Sequence, residues 1–550
     1  MKRALANKNL KHTLILLGLS CVFFVLGNNV LSLTNPDEVF YAQTTREMLQ
    51  HDSWTTPYLF GAPQFEKPIF LYWLLRISSM IFGTSAFAWR FFPAVFAAAG
   101  TIAVYFLATL MFRDNRKGFL CAIILMSSGL YVGLARTVYT DMVFSVFILL
   151  ALAAFWMGYV NAGRRGLGFL LFFVCAALAV LTKGPLGLIL PGLTVVLFLA
   201  VRRELRVLLH KGALVGLVVF LLLAVPWYAV MIRSFGRAFT GEFFYNDHIR
   251  RILEAEHPQN DTWYFYPLSS LVGMFPWSIF VAASFVSLLA RLVRRTLEPA
   301  HLFLAFWILV TLVVFQSAHS KLVSYVFPMF PAMAMMTGDS LYRWAAHRSG
   351  SAARWLVSGF VATALVLPAG LVVAAARFRE YLPPAPWVYG LAALSVSFCV
   401  AVIVLAARRK FLECVYVMSP VLIVAFCFGL SSTDIDSRLS SSSACRYLRE
   451  HDTGRGSVLC SKYFSRGVYY YAERDVAVVD VGGASFFSPH PIPFLDSDEK
   501  VRDFLRRQPK TYCVVDESSL RNLRRIVANN MRLDVQEKFG NEYVATVSAD

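Results

Sequence analysis

The amino-acid sequence predicts a polytopic α-helical membrane protein with a small α/β domain at its C-terminal end. Of its 550 residues, 57% are hydrophobic and 16% are charged, and the mean hydropathy is +0.57, a composition typical of membrane proteins. Apolar segments long enough to cross a bilayer recur along residues 1–430, and the chain after them is charged and mixed. The prediction is therefore a membrane domain over 1–430 and a second domain over 431–550.

Apolar segments of roughly 17–25 residues predict about 13 membrane-spanning helices. The N-terminal segment could be a signal peptide, but it ends without a small-x-small cleavage site and is long enough to span, so we interpret it as a retained helix. The shorter segment 68–83 is predicted to lie at the membrane interface. The predicted spans lie near 12–33, 87–112, 117–135, 139–161, 166–182, 185–201, 212–232, 267–290, 299–316, 322–342, 355–376, 387–407 and 411–430.

The Lys and Arg residues lie mostly in short clusters between the apolar segments. These clusters occur at every second connection, so the positive-inside rule places them in the cytoplasm. The loops 34–67 and 233–266 and the domain 431–550 are then predicted on the opposite side. The formal net charge of +18 is explained by this topology, and we do not expect nucleic-acid binding.

The C-terminal domain shows the alternation expected of an α/β structure. The segments GSVLCSKYF, DVAVVDVG and TYCVVDES predict strands, and VRDFLRRQ and SLRNLRRIVANN predict amphipathic helices. The preceding segment SRLSSSSACR predicts a polar linker. Cys445, Cys460 and Cys513 lie in this domain and could form one disulfide, although their spacing does not require one.

The loop 34–67, directly after the first predicted span, is the most informative polar segment. It opens with Asp37 and Glu38 and closes with Glu66 and Lys67. Each pair has a structural explanation, because acids stabilise the first turn of a helix and a lysine at the membrane interface can extend towards water. A charged, aromatic loop of this length also suits a site at the membrane surface.

Further polar residues fall at the mouths of predicted spans on the same side of the membrane. Any one of them could be a helix cap, a loop lysine or a structural histidine. Cations that oppose the positive-inside rule nevertheless predict a membrane-borne anion, most naturally a phosphate, and carboxylates beside them predict proton handling or positioning of a hydroxyl. A lipid-phosphate substrate fits both. These residues are Asp141, Lys183, His248, Arg250, Arg251, His319, Lys321 and Tyr325.

Several motifs occur in order over most of the membrane domain: PDEVFYAQTTREML…DSWTTPYLFGAPQFEKPIFLYW, LTKGPLGLILP, NDHIRRI…TWYFYP…PW and SKLVSYVFP. They resemble those of the GT-C glycosyltransferases, in particular the 4-amino-4-deoxy-L-arabinose lipid A transferases, which are related to protein O-mannosyltransferases. The resemblance implies a GT-C architecture with a periplasmic C-terminal domain. It also implies inverting transfer of a sugar from an undecaprenyl-phosphate donor to lipid A phosphate at the periplasmic face of the bacterial inner membrane.

The resemblance further implies roles for individual residues. Asp37 would be the principal catalytic carboxylate, with Asp141 as its supporting acid. Glu66 and His248 would be site residues able to bind a divalent metal such as zinc. Lys67 would bind the donor phosphate. The residues implied to line the cavity are Glu38, Tyr41, Lys183, Arg251, Lys321 and Tyr325.

The sequence departs from the family pattern at three positions. Phe40 stands where the family usually has Arg, Gln64 stands where an aromatic residue is frequent, and Val323 replaces the proline of a Lys-Leu-Pro motif. Loss of a cation beside the acid pair leaves open another sugar, or a protein or other glycolipid as acceptor. A glycolipid transporter is disfavoured because ionisable residues are nearly absent from the middle of the predicted spans.

Overall fold

The computed structural model describes residues 2–346, 349–377, 385–421, 433–452, 454, 456–488, 490–527 and 531–549. Within them the chain is mainly helical, with one small β-hairpin and one six-stranded sheet. The longer helices before residue 421 are Lys2–Ser20, Asp37–Gln50, Phe70–Phe82, Ala86–Phe112, Asn115–Met126, Gly129–Ala135, Thr140–Val160, Arg165–Lys183, Leu186–Arg202, Lys211–Phe235, Phe265–Gly273, Ser278–Val293, Pro299–Gln316, Phe330–Ala346, Gly350–Arg377, Ala385–Ala407 and Phe411–Met418. The helices after residue 433 are Thr433–Leu439, Ser442–His451, Ser465–Ala472, Asp498–Arg506 and Glu517–Val527.

The chain separates into two compact units. The second unit contains both the loop that carries Asp37 and the C-terminal domain. The predicted domain boundary at residue 430 lies among residues 422–432, outside the described residues, so it stays a prediction. The first unit comprises Met1–Asn28, Lys67–Leu71 and Arg90–Cys427, and the second comprises Asn29–Glu66, Tyr72–Trp89 and Phe428–Asp550.

Among the described residues, eight helices are long and apolar enough to cross a membrane. The protein is therefore a multi-pass membrane protein. Three further apolar helices, Phe70–Phe82, Leu186–Arg202 and Ser278–Val293, are shorter. The eight helical segments are Asn7–Val25, Ala86–Phe112, Thr140–Val160, Ala162–Lys183, Lys211–Phe235, Pro299–Gln316, Gly350–Gly370 and Tyr389–Ala407.

The predicted count of about 13 spans is not confirmed, because several predicted spans are interrupted. The segment 117–135 breaks after Met126 into a helix pair bent by 68°, and counting this pair as one span gives nine in the described chain. The segment 267–290 breaks after Gly273. Averaged hydropathy does not detect such breaks, since a few residues barely change the mean of a long window. Part of the predicted span 411–430 lies outside the described residues.

The C-terminal domain is a mixed sheet with helices, so the predicted small α/β domain is confirmed. The strands are β1 (Tyr58–Leu59) and β2 (Ala62–Pro63) in the hairpin, and β3 (Val458–Ser461), β4 (Val476–Val479), β5 (Phe494–Leu495), β6 (Lys510–Val515), β7 (Met531–Phe539) and β8 (Glu542–Ala549) in the sheet. The sheet order is β5-β4-β3-β6-β8-β7; the first four strands are parallel, and β8 pairs antiparallel with both β6 and β7. Strands β3 and β4 are buried along their full length, as expected for parallel strands covered on both faces.

The prediction of a polar linker at SRLSSSSACR is wrong. This segment contributes to the helices Thr433–Leu439 and Ser442–His451. Ser441 is fully buried, and its hydroxyl donates a hydrogen bond to Glu542 Oε1 at 2.7 Å. A serine here can make a buried hydrogen bond instead of facing water. Composition alone does not distinguish such a buried serine from a solvated serine in a linker.

The three cysteines of the C-terminal domain are free thiols. Cys445, Cys460 and Cys513 are all fully buried in the apolar core of the domain. The disulfide that the sequence left open is absent from the described residues, and the cysteines act as small apolar side chains.

Candidate active site

In the first unit, Asp247 brings together two of the cationic residues identified from the sequence. Lys67 Nζ donates to Asp247 Oδ2 at 2.7 Å, and Arg251 Nε donates to Oδ1 at 2.9 Å. Burial raises the pKa of the Asp247 carboxyl, but Lys67 and Arg251 outweigh it, so the pKa lies below its ordinary value. The carboxylate is ionised and holds both cations in fixed positions.

Tyr325 links Arg251 to a third cation. Arg251 Nη1 donates to the Tyr325 hydroxyl oxygen at 3.1 Å and to Glu256 Oε2 at 2.6 Å. Lys183 Nζ lies 4.7 Å from the centre of the Tyr325 ring, a cation–π contact. Tyr325 therefore contacts one cation at its hydroxyl and another at its ring.

Asp141 and Lys183 are brought together by the ends of two helices. Asp141 lies in the first turn of the helix Thr140–Val160, and Lys183 is the last residue of the helix Arg165–Lys183. Lys183 Nζ donates to Asp141 Oδ1 at 2.5 Å. The helix ends there because Gly184 has a φ of +90°, a conformation that glycine adopts at little cost. We call Lys67, Lys183, Arg251, Asp141, Asp247 and Tyr325 the cation cluster.

His248 lies against the turn that follows Lys183. A Cβ atom at Gly184 would be only 2.5 Å from His248 Nε2, so glycine is also required here for space. His248 Nδ1 is 2.7 Å from the carbonyl oxygen of Phe243, and since a carbonyl only accepts, Nδ1 carries the proton. Burial lowers the pKa of His248. The imidazole is therefore neutral, with Nε2 as its acceptor.

Lys321 belongs to a separate ion pair in the first unit. Its Nζ donates to Asp261 Oδ1 at 2.7 Å, and His319 Nδ1 lies 2.7 Å from Asp261 Oδ2. Hydrogen bonds from Lys321 and His319 lower the pKa of the Asp261 carboxyl. The main chain connects this group to the cation cluster, since Ser320 N donates to the carbonyl of Arg251 at 3.0 Å. Its predicted role in lining the cavity stays a prediction.

In the second unit, Asp37 and Glu38 begin the helix Asp37–Gln50 but differ in environment. Glu38 is fully buried, and its Oε2 accepts hydrogen bonds from the backbone N and the Oγ1 of Thr34 at 3.0 and 2.9 Å. The Asp37 side chain is 44% exposed. Glu38 thus fixes the loop onto the helix, while Asp37 presents its carboxylate to the surroundings.

Glu66 closes the same loop and is fixed by Gln64. Gln64 Oε1 accepts a hydrogen bond from Glu66 N at 2.9 Å, and Gln64 Nε2 donates to the Tyr72 hydroxyl at 2.8 Å. The Tyr41 ring packs at 6.0 Å from the Tyr72 ring and is buried. Gln64, one of the departures from the family pattern, therefore orders the end of the loop.

Arg466, from the helix Ser465–Ala472, lies near both acidic residues of the loop. Its Nη1 is 3.9 Å from Asp37 Oδ1 and its Nη2 is 3.5 Å from Glu66 Oε1. The guanidinium carbon lies 4.6 Å from the centre of the Phe40 ring. His490 Nε2 is 3.0 Å from Arg466 Nη2. We call Asp37, Phe40, Glu66, Arg466 and His490 the Arg466 cluster.

The predicted metal-binding role of Glu66 and His248 stays a prediction. The described residues contain no group of three or more His, Cys, Asp or Glu residues that could hold a metal ion. Glu66 lies beside a guanidinium, and a metal cation would compete with that charge. We therefore derive no chemical step through a metal.

Sequence reasoning missed Asp247, Glu256, Arg466 and His490. Asp247 could have been found from its spacing of four residues from Arg251, which favours an ion pair on a helix. The departure at Phe40 was a signal for Arg466, because an acid pair that lacks a nearby cation in its own motif can obtain one from elsewhere. For Glu256 and His490 we see no sequence signal.

Comparison with known proteins agrees with the motifs. Residues 13–235 match the family described as dolichyl-phosphate-mannose-protein mannosyltransferase. An undecaprenyl phosphate-alpha-4-amino-4-deoxy-L-arabinose arabinosyl transferase from Pseudomonas paraeruginosa is 31% identical over 338 residues, covering 61% of this chain and 60% of that protein. The protein of the same name from Yersinia enterocolitica is 32% identical over 319 residues, covering 57% of this chain and 56% of that protein.

The crystal structure of ArnT from Cupriavidus metallidurans bound to undecaprenyl phosphate matches with a TM-score of 0.77, covering 97% of both chains at 20% identity. The chain has the GT-C fold. The predicted fold class and the family resemblance are thereby confirmed. The chain spans about 60% of the length of the curated relatives it matches, and 20% identity to the solved structure shows the fold alone.

Proposed function

We propose that this protein is an inverting glycosyltransferase that transfers 4-amino-4-deoxy-L-arabinose from undecaprenyl phosphate to a lipid A phosphate. The reaction takes place at the periplasmic face of the bacterial inner membrane, where the C-terminal domain also lies. The proposal is supported by the names of the relatives, by the fold of the undecaprenyl-phosphate-bound ArnT and, above all, by the cation cluster.

The cation cluster carries the proposal because two cations contact Tyr325 and a third shares a carboxylate with one of them. Lys67 and Arg251 share Asp247, and Lys183 contacts both Asp141 and the Tyr325 ring. An ammonium group has three N–H donors and a guanidinium has five, so each cation can keep a carboxylate partner and also donate to a phosphate oxygen. Such an arrangement suits the phosphate of a lipid-linked sugar.

The same cations can stabilise the transition state. When the bond between the sugar and the phosphate oxygen breaks, its electron pair stays on that oxygen, and the departing phosphate gains negative charge. A cation aimed at this oxygen interacts more strongly in the transition state than in the bound substrate and therefore accelerates the reaction. Lys67 is the residue we assign to this role.

Asp37 is the residue we assign to the acceptor side of the reaction. Its carboxylate is about half exposed at the start of a helix. A lipid A phosphate is already an anion, so Asp37 would position the acceptor and stabilise positive charge developing on the sugar. A hydroxyl acceptor would instead need a general base to take its proton. Glu66 and His248 as metal ligands stay a prediction.

Mass spectrometry of lipid A tests the proposal. The wild-type chain, Asp37→Asn and an empty vector are expressed in a strain that makes the donor lipid but lacks its own transferase. We expect a mass increase of one aminoarabinose only with the wild-type chain. The proposal is wrong in its sugar or acceptor if lipid A is unchanged in cells that contain the donor and the membrane-inserted protein. Other glycolipids and proteins would then be analysed for a new sugar.

A further inference from the structure

Arg466 is held in place by aromatic and histidine side chains. Its guanidinium lies over the Phe40 ring, with 4.6 Å between the guanidinium carbon and the ring centre, and its side chain is only 15% exposed. Planar guanidinium groups favour aromatic faces in this way. Phe40 thus supports the cation from one side.

His490 fixes the edge of the same guanidinium. Its Nε2 lies 3.0 Å from Arg466 Nη2, and because a guanidinium only donates, Nε2 accepts this hydrogen bond. The imidazole must therefore be neutral. Arg466 is oriented by a neutral partner and keeps its full charge for the two carboxylates.

The two carboxylates are those that open and close the loop 34–67. Arg466 Nη1 lies 3.9 Å from Asp37 Oδ1 and Nη2 lies 3.5 Å from Glu66 Oε1. These distances are at or beyond the limit of hydrogen bonding, so the interaction is electrostatic. A single cation between two acids reduces their mutual repulsion and favours one orientation of the exposed Asp37 side chain.

We propose that Arg466 is a positioning residue for Asp37 and that the C-terminal domain thereby contributes to catalysis. The inference rests on the proposed glycosyl transfer and extends it. Position 40 lies three residues after Asp37 on the same helix, so a cation there would face the carboxylate. Phe40 cannot supply that charge, and Arg466 provides it from a segment more than 400 residues away in sequence.

The test compares transfer rates of purified full-length variants in lipid nanodiscs. Arg466→Ala should lower kcat about tenfold and leave the donor KM within about twofold, since Arg466 acts through Asp37. Arg466→Lys should recover part of this loss because it restores a positive charge. Adding Phe40→Arg to Arg466→Ala should also recover activity, because the new cation faces Asp37 from its own helix.

Arg474→Ala is the matched control. The Arg474 side chain is 14% exposed and pairs with Asp452 in the same domain, so its loss disturbs the domain to a comparable degree away from Asp37. It should leave kcat within about twofold for the folded protein. If Arg466→Ala and Arg474→Ala lose the same activity, and neither the lysine nor Phe40→Arg restores it, Arg466 is structural and the inference is wrong.

A second measurement is independent of activity. Melting temperatures of Asp37→Asn, Arg466→Ala and the double variant form a cycle that reports direct coupling of the two residues. We expect the double variant to lose about 1–2 °C less than the sum of the single losses. Additive losses would overturn the inference even if the wild type transfers sugar. If the wild type is inactive but the cycle shows coupling between Asp37 and Arg466, the proposed function is wrong, whereas the interaction of Arg466 with Asp37 is supported.

Discussion

The cation cluster of the first unit and the Arg466 cluster of the second unit arrange charge in opposite ways. In the cation cluster, Lys67 and Lys183 make short pairs with their carboxylates, at 2.7 and 2.5 Å. In the Arg466 cluster, one guanidinium serves two carboxylates at 3.5 and 3.9 Å. The first arrangement is a set of hydrogen-bonded ion pairs, and the second is a looser electrostatic contact.

This difference suits the two clusters to different tasks. Short pairs fix the cations before a ligand arrives, so a phosphate meets donors that are already positioned and loses less conformational entropy on binding. The looser contact leaves Asp37 half exposed, so its carboxylate can reach a substrate. We therefore assign phosphate binding to the cation cluster and the chemical role of a carboxylate to the Arg466 cluster.

Asp37→Asn should give the largest effect if this assignment is correct. The amide keeps the shape of the side chain but removes its charge, so we expect transfer to fall by about 10²–10⁴-fold. The melting temperature should fall by only about 1–2 °C, the coupling expected with Arg466, because the two side chains make no short ion pair. Initial rates in nanodiscs and melting temperatures of the same preparations provide the measurement.

Asp52→Asn is the control for this prediction. Asp52 follows the helix that Asp37 begins, and its exposed carboxylate accepts from Arg76 Nη2 at 2.6 Å. Asparagine tolerates the positive φ of this position. Activity within about twofold of the wild type is expected. A loss as large as that of Asp37→Asn would mean that any charge change near this helix disables the protein.

Lys67→Ala should have the next largest effect, on use of the donor. A charge-assisted hydrogen bond contributes about 1.5–3 kcal/mol, and Lys67 is assigned to the phosphate in both the bound donor and the transition state, so we expect kcat/KM for the donor to fall by about 10–100-fold. Asp247 keeps Arg251 as a partner, which limits the damage to the fold. Donor titrations at saturating acceptor measure the effect, and an unchanged kcat/KM would move the phosphate site towards Lys183 or Arg251.

Lys117→Ala is a closely matched control for Lys67→Ala. Lys117 Nζ lies 2.7 Å from Asp339 Oδ1, and its side chain is 19% exposed, the same values as for Lys67 and Asp247. Asp339 also keeps a cationic partner, Arg343. The two variants should lose similar stability, and only Lys67→Ala should change kcat/KM for the donor.

Much of the cation cluster could be predicted from the sequence because topology singles out its cations. Lys67, Lys183 and Arg251 are predicted on the side of the membrane that the positive-inside rule disfavours for basic residues. Their partners were harder to predict. Asp247 stands beside His248 in the sequence. The sequence analysis assigned a role to the histidine and none to Asp247, although the Asp247 carboxylate binds both Lys67 and Arg251.

The Arg466 cluster could be predicted only in part. Asp37 and Glu66 came from their motifs, but Arg466 is joined to them by tertiary structure, and hydropathy and spacing carry no information about such contacts. The same limit explains why the linker prediction was wrong, since Ser441 forms a buried hydrogen bond with Glu542, a residue about 100 positions later in the sequence. Local patterns predict helices, strands and exposed charge, whereas long-range polar pairing depends on the whole fold.

Glu542 sharpens the comparison with a third arrangement, a buried carboxyl whose hydrogen-bond donors in the described chain are neutral. Ser441 Oγ and Asn35 Nδ2 donate to its Oε1 at 2.7 and 3.4 Å. Burial raises its pKa from 4.5 to about 8. The unfolded chain therefore releases this proton at lower pH than the folded protein. The contribution of Glu542 to the free energy of unfolding is fully present below pH 4.5. It declines by about 1.4 kcal/mol per pH unit as the pH rises towards 8.

We expect the melting temperature of the full-length protein to fall between pH 5 and pH 8, and Glu542→Gln to reduce this slope, because the amide has no proton to release. Thermal unfolding in detergent at a series of pH values measures both. An equal slope in the variant would assign the pH dependence to other groups and would mean that Glu542 is ionised in the folded protein.

The smallest effect is expected for the thiols of the C-terminal domain. Cys460 and Cys513 lie on the neighbouring strands β3 and β6, and burial raises the pKa of Cys513 to about 12. Buried, protonated thiols react slowly.

A disulfide would contribute about 2–4 kcal/mol, so a reductant should change the melting temperature by less than about 1 °C if the thiols are free. Alkylation of the unfolded, unreduced protein should modify Cys445, Cys460 and Cys513, and a pair protected until reduction would contradict this. Free thiols would mean that packing and polar contacts alone hold the domain that positions Arg466.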